Sequence, residues 1–118
     1  MLDTNIVILA VERLETNVLA RLAHKDPEML AISTVSYAEI LRGFGSGFPE
    51  GYDMFLSQIA ILPFDELCAK AYASLPFKRH AFDRLIGAHA KSVDATMVTA
   101  NLADFDDIPG LKIEDWTR

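Results

Sequence analysis

Four carboxylates stand far apart in the chain, each close to a segment able to form a buried strand or an amphipathic helix: Asp3, Glu39, Asp83 and Asp104. Asp3 closes MLD. Glu39 lies five residues beyond Thr34, within the second turn of a helix that follows LAIS. Asp83 falls in the first turn of AFDRLIGAHA, and Asn101 and Asp104 directly follow TMVT. Carboxylates drawn together repel, and their pKa values rise unless a cation neutralises them. An oxygen-only donor set, with no accompanying Cys and no paired histidines, suits Mg2+ or Mn2+ rather than zinc. Mg2+ held by few carboxylates keeps waters. One of these can be activated as a nucleophile while the ion offsets charge on a phosphodiester undergoing in-line displacement. The residue types therefore favour metal-assisted phosphodiester hydrolysis, provided the chain folds so that they meet.

The elements that must bring them together read as follows. MLD is a very short strand and NIVILAVERL a helix that Thr4 or Asn5 can cap. TNVLARLAH is a second helix, with His24 near its C-terminus where a cation is favoured. LAIS at 30–33 is a buried strand, and TVSYAEILRGF a helix started by Thr34 or Ser36 and ended by Gly43. FGSGFPEG is loop. DMFLSQIAIL and DELCAKAYASL give helices around a strand at 61–63, and PFKRH is loop-like. AFDRLIGAHAKSV is an amphipathic helix, ATMVTAN a buried strand and LKIE a last strand. Continuously apolar strands alternating with helices predict an α/β fold, a three-layer α/β/α sandwich around a central, mainly parallel sheet of about four to five strands. In such sheets ligands bind outside the carboxyl ends of the strands, and four elements each deliver an acidic or amide group toward that end.

Composition sets the frame. With 51% hydrophobic and 24% charged residues, few Gly and few Pro, residues 1–118 read as one compact domain. The single Cys68 occupies an apolar helical position, which excludes a disulfide framework or thiolate cluster and points to core packing and a reducing compartment. No apolar stretch approaches the roughly 20 residues that span a bilayer, and no basic region precedes the first apolar run, so a cytoplasmic protein without a membrane partner is expected. A net charge of −6 argues against a nonspecific phosphate-binding surface. Lys78, Arg79 and His80 nevertheless form a dense basic cluster, with Arg84 beside it, next to Asp83; contact with RNA phosphate is its functional reading and a solvated loop the plainer one. Phe44, Phe48, Tyr52 and Phe55 surround a glycine-bearing loop and either pack in the core or line a groove for a partner segment.

Taken singly, each acid has an ordinary explanation. Asp3 is equally well a helix cap, Glu39 pairs naturally with Arg42 on a helix surface, and Asp83 suits a first turn through the helix dipole. His89 is off the Asp83 face and reads as packing. Asp106 and Asp107 read as plain loop residues. What outweighs these readings is the joint pattern at one end of the sheet.

LDTNIVI, TVSYAEILRG, FDRLIGAHA and MVTANLADFDDIPGLKIEDW, in that order, together resemble a PIN-domain ribonuclease of the VapC toxin type found in bacterial toxin–antitoxin pairs. The resemblance spans the chain and implies a PIN-like sandwich. It further implies a cytoplasmic, Mg2+- or Mn2+-dependent endoribonuclease acting on RNA, commonly a structured RNA such as tRNA. The implied partners are a cognate VapB-type antitoxin and a second copy of the chain, as a homodimer and as a heterotetramer or larger assembly with antitoxin. Carried over by position, Asp3, Glu39 and Asp83 match the family's first three acids. Asp104 is favoured as the fourth because it is ionised, with Asn101 as a neutral ligand or water holder. Asp3, Asp83, Asp104 and Asn101 are then the expected metal ligands, while Thr4, Asn5 and Thr99 match positions that orient the acids. PFKRHAF is shorter than the segment many members carry there, which implies a different rim. A catalytically inactive PIN-like scaffold for RNA or protein is the alternative. A haloacid-dehalogenase-like phosphatase is disfavoured because Asn5 stands where its second Asp belongs, and a receiver domain because it needs an acidic pair after the first strand.

Overall fold

The structure, a computed structural model, describes residues 1–44, 50–76 and 81–118. In chain order its elements are α1 (Thr4–Val11), α2 (Thr16–Ala23), a 3-10 turn (Pro27–Met29), β1 (Ala31–Ser33), α3 (Thr34–Phe44), α4 (Glu50–Leu56), β2 (Ala60–Leu62) and α5 (Glu66–Ala73). Then come α6 (Ala81–Ser92), β3 (Met97–Val98), a second 3-10 turn (Leu102–Asp104) and β4 (Ile113–Glu114).

β1 pairs with β2 in parallel, Ala31 opposite Ala60, and β3 with β4 in parallel, Met97 opposite Ile113. Residues 1–3 join the two pairs into one sheet. The Leu2 N–H donates to the Ala31 carbonyl, the Asp3 N–H to the Val98 carbonyl and the Val98 N–H to the Met1 carbonyl, at 2.8, 2.8 and 2.9 Å. The order is β2, β1, residues 1–3, β3, β4, and every recorded pairing is parallel. The expected α/β architecture is present, with MLD reduced to a single bridge at Leu2 and β2 beginning one residue earlier than the apolar run suggests.

Side chains alternate across a strand, and here both faces are apolar, as a parallel sheet covered by helices requires. Leu2, Ile32 and Val98 turn to one side and pack with Ile6 and Val7 of α1, Val18 of α2 and Ile40 of α3. Met1 and Met97 turn to the other and pack with Ile86 and Ala90 of α6 and with Phe105 and Ile108. Fully burying one such side chain contributes about 1.5–3 kcal/mol, so each helix layer is held by several such contributions. Among the described residues no helix is long and apolar enough to cross a membrane.

Helix ends depart from the sequence reading in several places. α1 is capped by Asp3 rather than by Thr4 or Asn5, because Thr4 is already helical and the Asp3 carboxylate accepts from its N–H. α3 continues through Gly43 to Phe44. In FGSGFPEG, residues 45–49 lie outside the described residues and Glu50 and Gly51 belong to α4. His24 is the C-cap of α2, as expected from its position.

Candidate active site

Asp3 is the last residue of the central strand segment and is only 3% exposed. One carboxylate oxygen accepts from the Thr4 N–H at 2.8 Å, the other from the Thr99 hydroxyl at 3.0 Å. Thr99, the residue after β3, also accepts from the Asn101 N–H at 3.0 Å. Thr4 donates its hydroxyl to the Glu39 carboxylate at 2.8 Å. The Asn101 side-chain amide donates to Asp104 at 3.0 Å. A short polar relay thus runs from Glu39 through Thr4, Asp3 and Thr99 to the backbone of Asn101, whose side chain meets Asp104.

The charges reveal the convergence more directly than any one bond. Burial pushes Asp3 from 3.8 to about 6, against the pull of the Thr99 and Thr4 hydrogen bonds, and the charges of Glu39 and Asp104 push the same way as burial. Asp83 is also pushed from 3.8 to about 6, first by burial, then by the charges of Asp3 and Asp104, by a side-chain hydrogen bond with Asp104, and by Glu39. Four acids from separate segments therefore share one field. They are not closed around a point: among the described residues no three His, Cys, Asp or Glu side chains already form a coordination group. The two observations agree once distance is considered, since Coulomb coupling reaches much farther than a coordination bond of about 2 Å. With Asp3 buried and Glu39, Asp83 and Asp104 half-buried, this oxygen-only, mutually repelling donor set fits a hard divalent cation, which would stabilise the ionised form of every acid.

The remaining sequence candidates divide. Thr4 and Thr99 hold acids as expected. Asn5 is exposed on the first turn of α1, and among the described residues its side chain holds no acid, because the cap at Asp3 turns that position outward. Glu39 forms no ion pair with Arg42 among the described residues and instead accepts from Thr4. Lys78, Arg79, His80 and Phe48 lie outside the described residues. Arg84 departs from expectation. It is 2% exposed, donating to the Asp107 carboxylate at 2.5 Å and to the Pro76 carbonyl at 3.1 Å, so its guanidinium faces protein rather than an RNA phosphate.

Asp107, read from sequence as a plain loop residue, is the partner this Arg requires. The available signal was the placement of Arg84 among Ile86, Gly87 and Ala88 in a stretch too apolar to leave it a solvated face. His89 is buried packing as expected, with Nδ1 2.8 Å from the Ser33 hydroxyl, and burial lowers its pKa. Cys68 is buried and free, with Sγ 3.2 Å from the Ser92 hydroxyl.

Over residues 1–111 the chain matches the PIN domain, and it belongs to that family. Within the family its resemblance is to VapC ribonucleases. It is 32% identical over 133 residues to Ribonuclease VapC2 of Rickettsia felis, an alignment that covers 100% of this chain and 98% of the relative. It is also 32% identical to the tRNA(fMet)-specific endonuclease VapC of Shigella flexneri, covering 99% of this chain and 97% of that one. The structure superposes with a TM-score of 0.84 on a chain of VapBC2 from Rickettsia felis bound to a DNA fragment from its promoter, at 29% identity, covering 98% of this chain and 97% of the other.

Proposed function

We propose that this chain is a Mg2+- or Mn2+-dependent endoribonuclease, the toxin of a toxin–antitoxin pair, acting as one PIN domain in the cytoplasm with Asp3, Glu39, Asp83 and Asp104 as its catalytic acids. The observation that carries the reading is the elevation of Asp3 and Asp83, each by burial first and then by neighbouring acids: Glu39 and Asp104 push Asp3 up, and Asp3, Asp104 and Glu39 push Asp83 up.

Asp3, Asp83 and Asp104, with the Asn101 amide, would hold the ion. When bound, it supplies charge stabilisation for a phosphodiester under attack and lowers the pKa of water near it. The protein's own groups do the rest. Thr99 and the Thr4 N–H fix both oxygens of Asp3, so its orientation is set before substrate arrives. Thr4 holds Glu39, and Asn101 holds Asp104. Asp83, pushed up to about 6 by burial and by the charges of Asp3 and Asp104, would be held ionised by the ion and serve as its ligand.

The name of the Shigella flexneri relative supports a structured RNA such as tRNA as substrate. The VapBC complexes among the structural neighbours support a VapB-type antitoxin as partner; the assembly proposed with it is a homodimer of this chain and, in complex, a heterotetramer or larger. The test is cleavage of an RNA pool with and without Mg2+ by the wild type, Asp3→Asn and Asp83→Asn, followed by mapping of new RNA ends. Loss of several kcal/mol of barrier reduction should slow each variant by about two to three orders of magnitude while both stay folded. Cleavage that persists in chelator, or in Asp3→Asn, would overturn the metal-dependent reading, and a wild type that cuts no RNA with Mg2+ present would leave the scaffold reading.

A further inference from the structure

We infer that Arg84 is a positioning residue: its buried ion pair with Asp107 fixes the segment that carries Asp104 on the helix that carries Asp83. This rests on the function proposed above and adds a residue that touches neither substrate nor ion.

Arg84 is nearly inaccessible, and its guanidinium is only partly satisfied. One terminal nitrogen meets the Asp107 carboxylate, the other the Pro76 carbonyl, and Nε is buried without a hydrogen-bond partner among the described residues. Burying a guanidinium is expensive, and a buried ion pair is often no more stabilising than apolar residues of the same volume. Stability alone is therefore a poor reason for an Arg at this position. Geometry is a better one. Arg84 immediately follows Asp83 on α6, and Asp107 lies three residues beyond Asp104 on the segment after β3.

The same segment packs on α6 through Phe105 and Ile108, which lie so close to Gly87 that an added Cβ would stand 2.5 Å from the Ile108 side chain. Apolar packing of this kind brings the segment close but is non-directional and sets its rotation weakly. A short, charge-assisted contact to a planar fork is directional. It sets which way Asp104 faces. Pro76, at the end of the α5 segment, is tied to the same fork, so one side chain gathers three stretches of chain behind the acids.

The test uses the full chain. Mn2+ binding is titrated without RNA by electron paramagnetic resonance, and kcat and KM are measured with Mg2+ on the cleaved RNA. Arg84→Met and Asp107→Asn should each weaken Mn2+ binding by about 10-fold or more, the usual size of an effect exerted through a ligand's supporting shell. kcat should fall in proportion, with KM little changed. Arg84→Lys, which keeps the charge but not the fork, should recover part of the loss. The double variant should be no worse than either single one, because the two residues act as a unit.

Mn2+ affinity and kcat equal to wild type in folded Asp107→Asn would overturn the inference. So would a raised KM with unchanged kcat in Arg84→Met, the mark of a phosphate contact. Unfolding of both Asp107→Asn and Arg84→Lys, followed through Trp116 fluorescence, would assign the pair to stability and equally overturn it. A wild type that neither binds Mn2+ nor cuts RNA would instead sink the proposed function itself.

Discussion

Asp3→Asn should make the metal-free protein more stable, although it removes a catalytic acid. Asp3 is pushed from 3.8 to about 6, chiefly by burial. At about 1.4 kcal/mol for each tenfold change in proton affinity, holding it ionised at pH 7.5 costs the fold about 3 kcal/mol. Asn carries no charge and caps helices as well as Asp does, so the bond from the Thr4 N–H survives. Its amide nitrogen cannot accept from Thr99, which loses about 1 kcal/mol. The net gain is about 2 kcal/mol, or roughly 6–8 °C in Tm for a domain of this size.

The pH dependence carries the sign. A raised carboxyl pKa means that the native state binds more protons than the unfolded state between pH 3.8 and about 6. The wild type's metal-free stability therefore falls as pH climbs through that window and flattens above it, and Asp83 adds to the same slope. His89, whose pKa is lowered, works the other way: stability is lost as pH falls below its ordinary value. It is common to both proteins and cancels in the difference. The assay is urea unfolding in EDTA, followed by the single tryptophan, Trp116, which is buried against Glu114. The variant's advantage should be present at pH 7.5, gone near pH 4.5, and narrowed at pH 7.5 by Mg2+. A variant less stable than wild type at pH 7.5, by an amount that does not change toward pH 4.5, would show that Asp3 is a helix cap and that charge crowding is no part of the site.

Phe105→Ala, which empties a fully buried ring site beneath the Asp104 segment, should cost about 3–5 kcal/mol in urea unfolding; a loss below about 1 kcal/mol would mean that this segment does not pack on α6 as described. Thr99→Val removes the donor to Asp3 and the acceptor for the Asn101 N–H, so stability should drop by about 1–3 kcal/mol and Mn2+ binding should weaken, whereas Thr99→Ser should restore both. Ser33→Ala leaves the buried His89 Nδ1 without its partner and should cost about 1–3 kcal/mol while sparing the metal-free charge effect, so the pH 4.5 to 7.5 slope attributed to Asp3 should remain.

The sequence by itself determined the layout. Apolar runs such as LAIS and TMVT read as strands buried on both faces, which favours parallel pairing and helical cover, and that rule places Asp3 and Asp104 soon after strands, with Glu39 and Asp83 in early helix turns toward the same end of the sheet. The motif resemblance then supplied what spacing could not, the family, while Asp104 ranks over Asn101 because only Asp104 is ionised. Tertiary structure decided everything that depends on what a side chain meets across the fold. Local pattern made Arg84 a cation beside a basic loop, but its partners at Asp107 and Pro76 come from other segments, and a residue's solvation is settled by its neighbours in space. The same holds for Asp3. Its type marks it as a cap or a ligand, and it is in fact the cap of α1, yet the raised proton affinity that also suits it to a cation arises only because burial removes its water while Glu39 and Asp104 arrive from other parts of the chain.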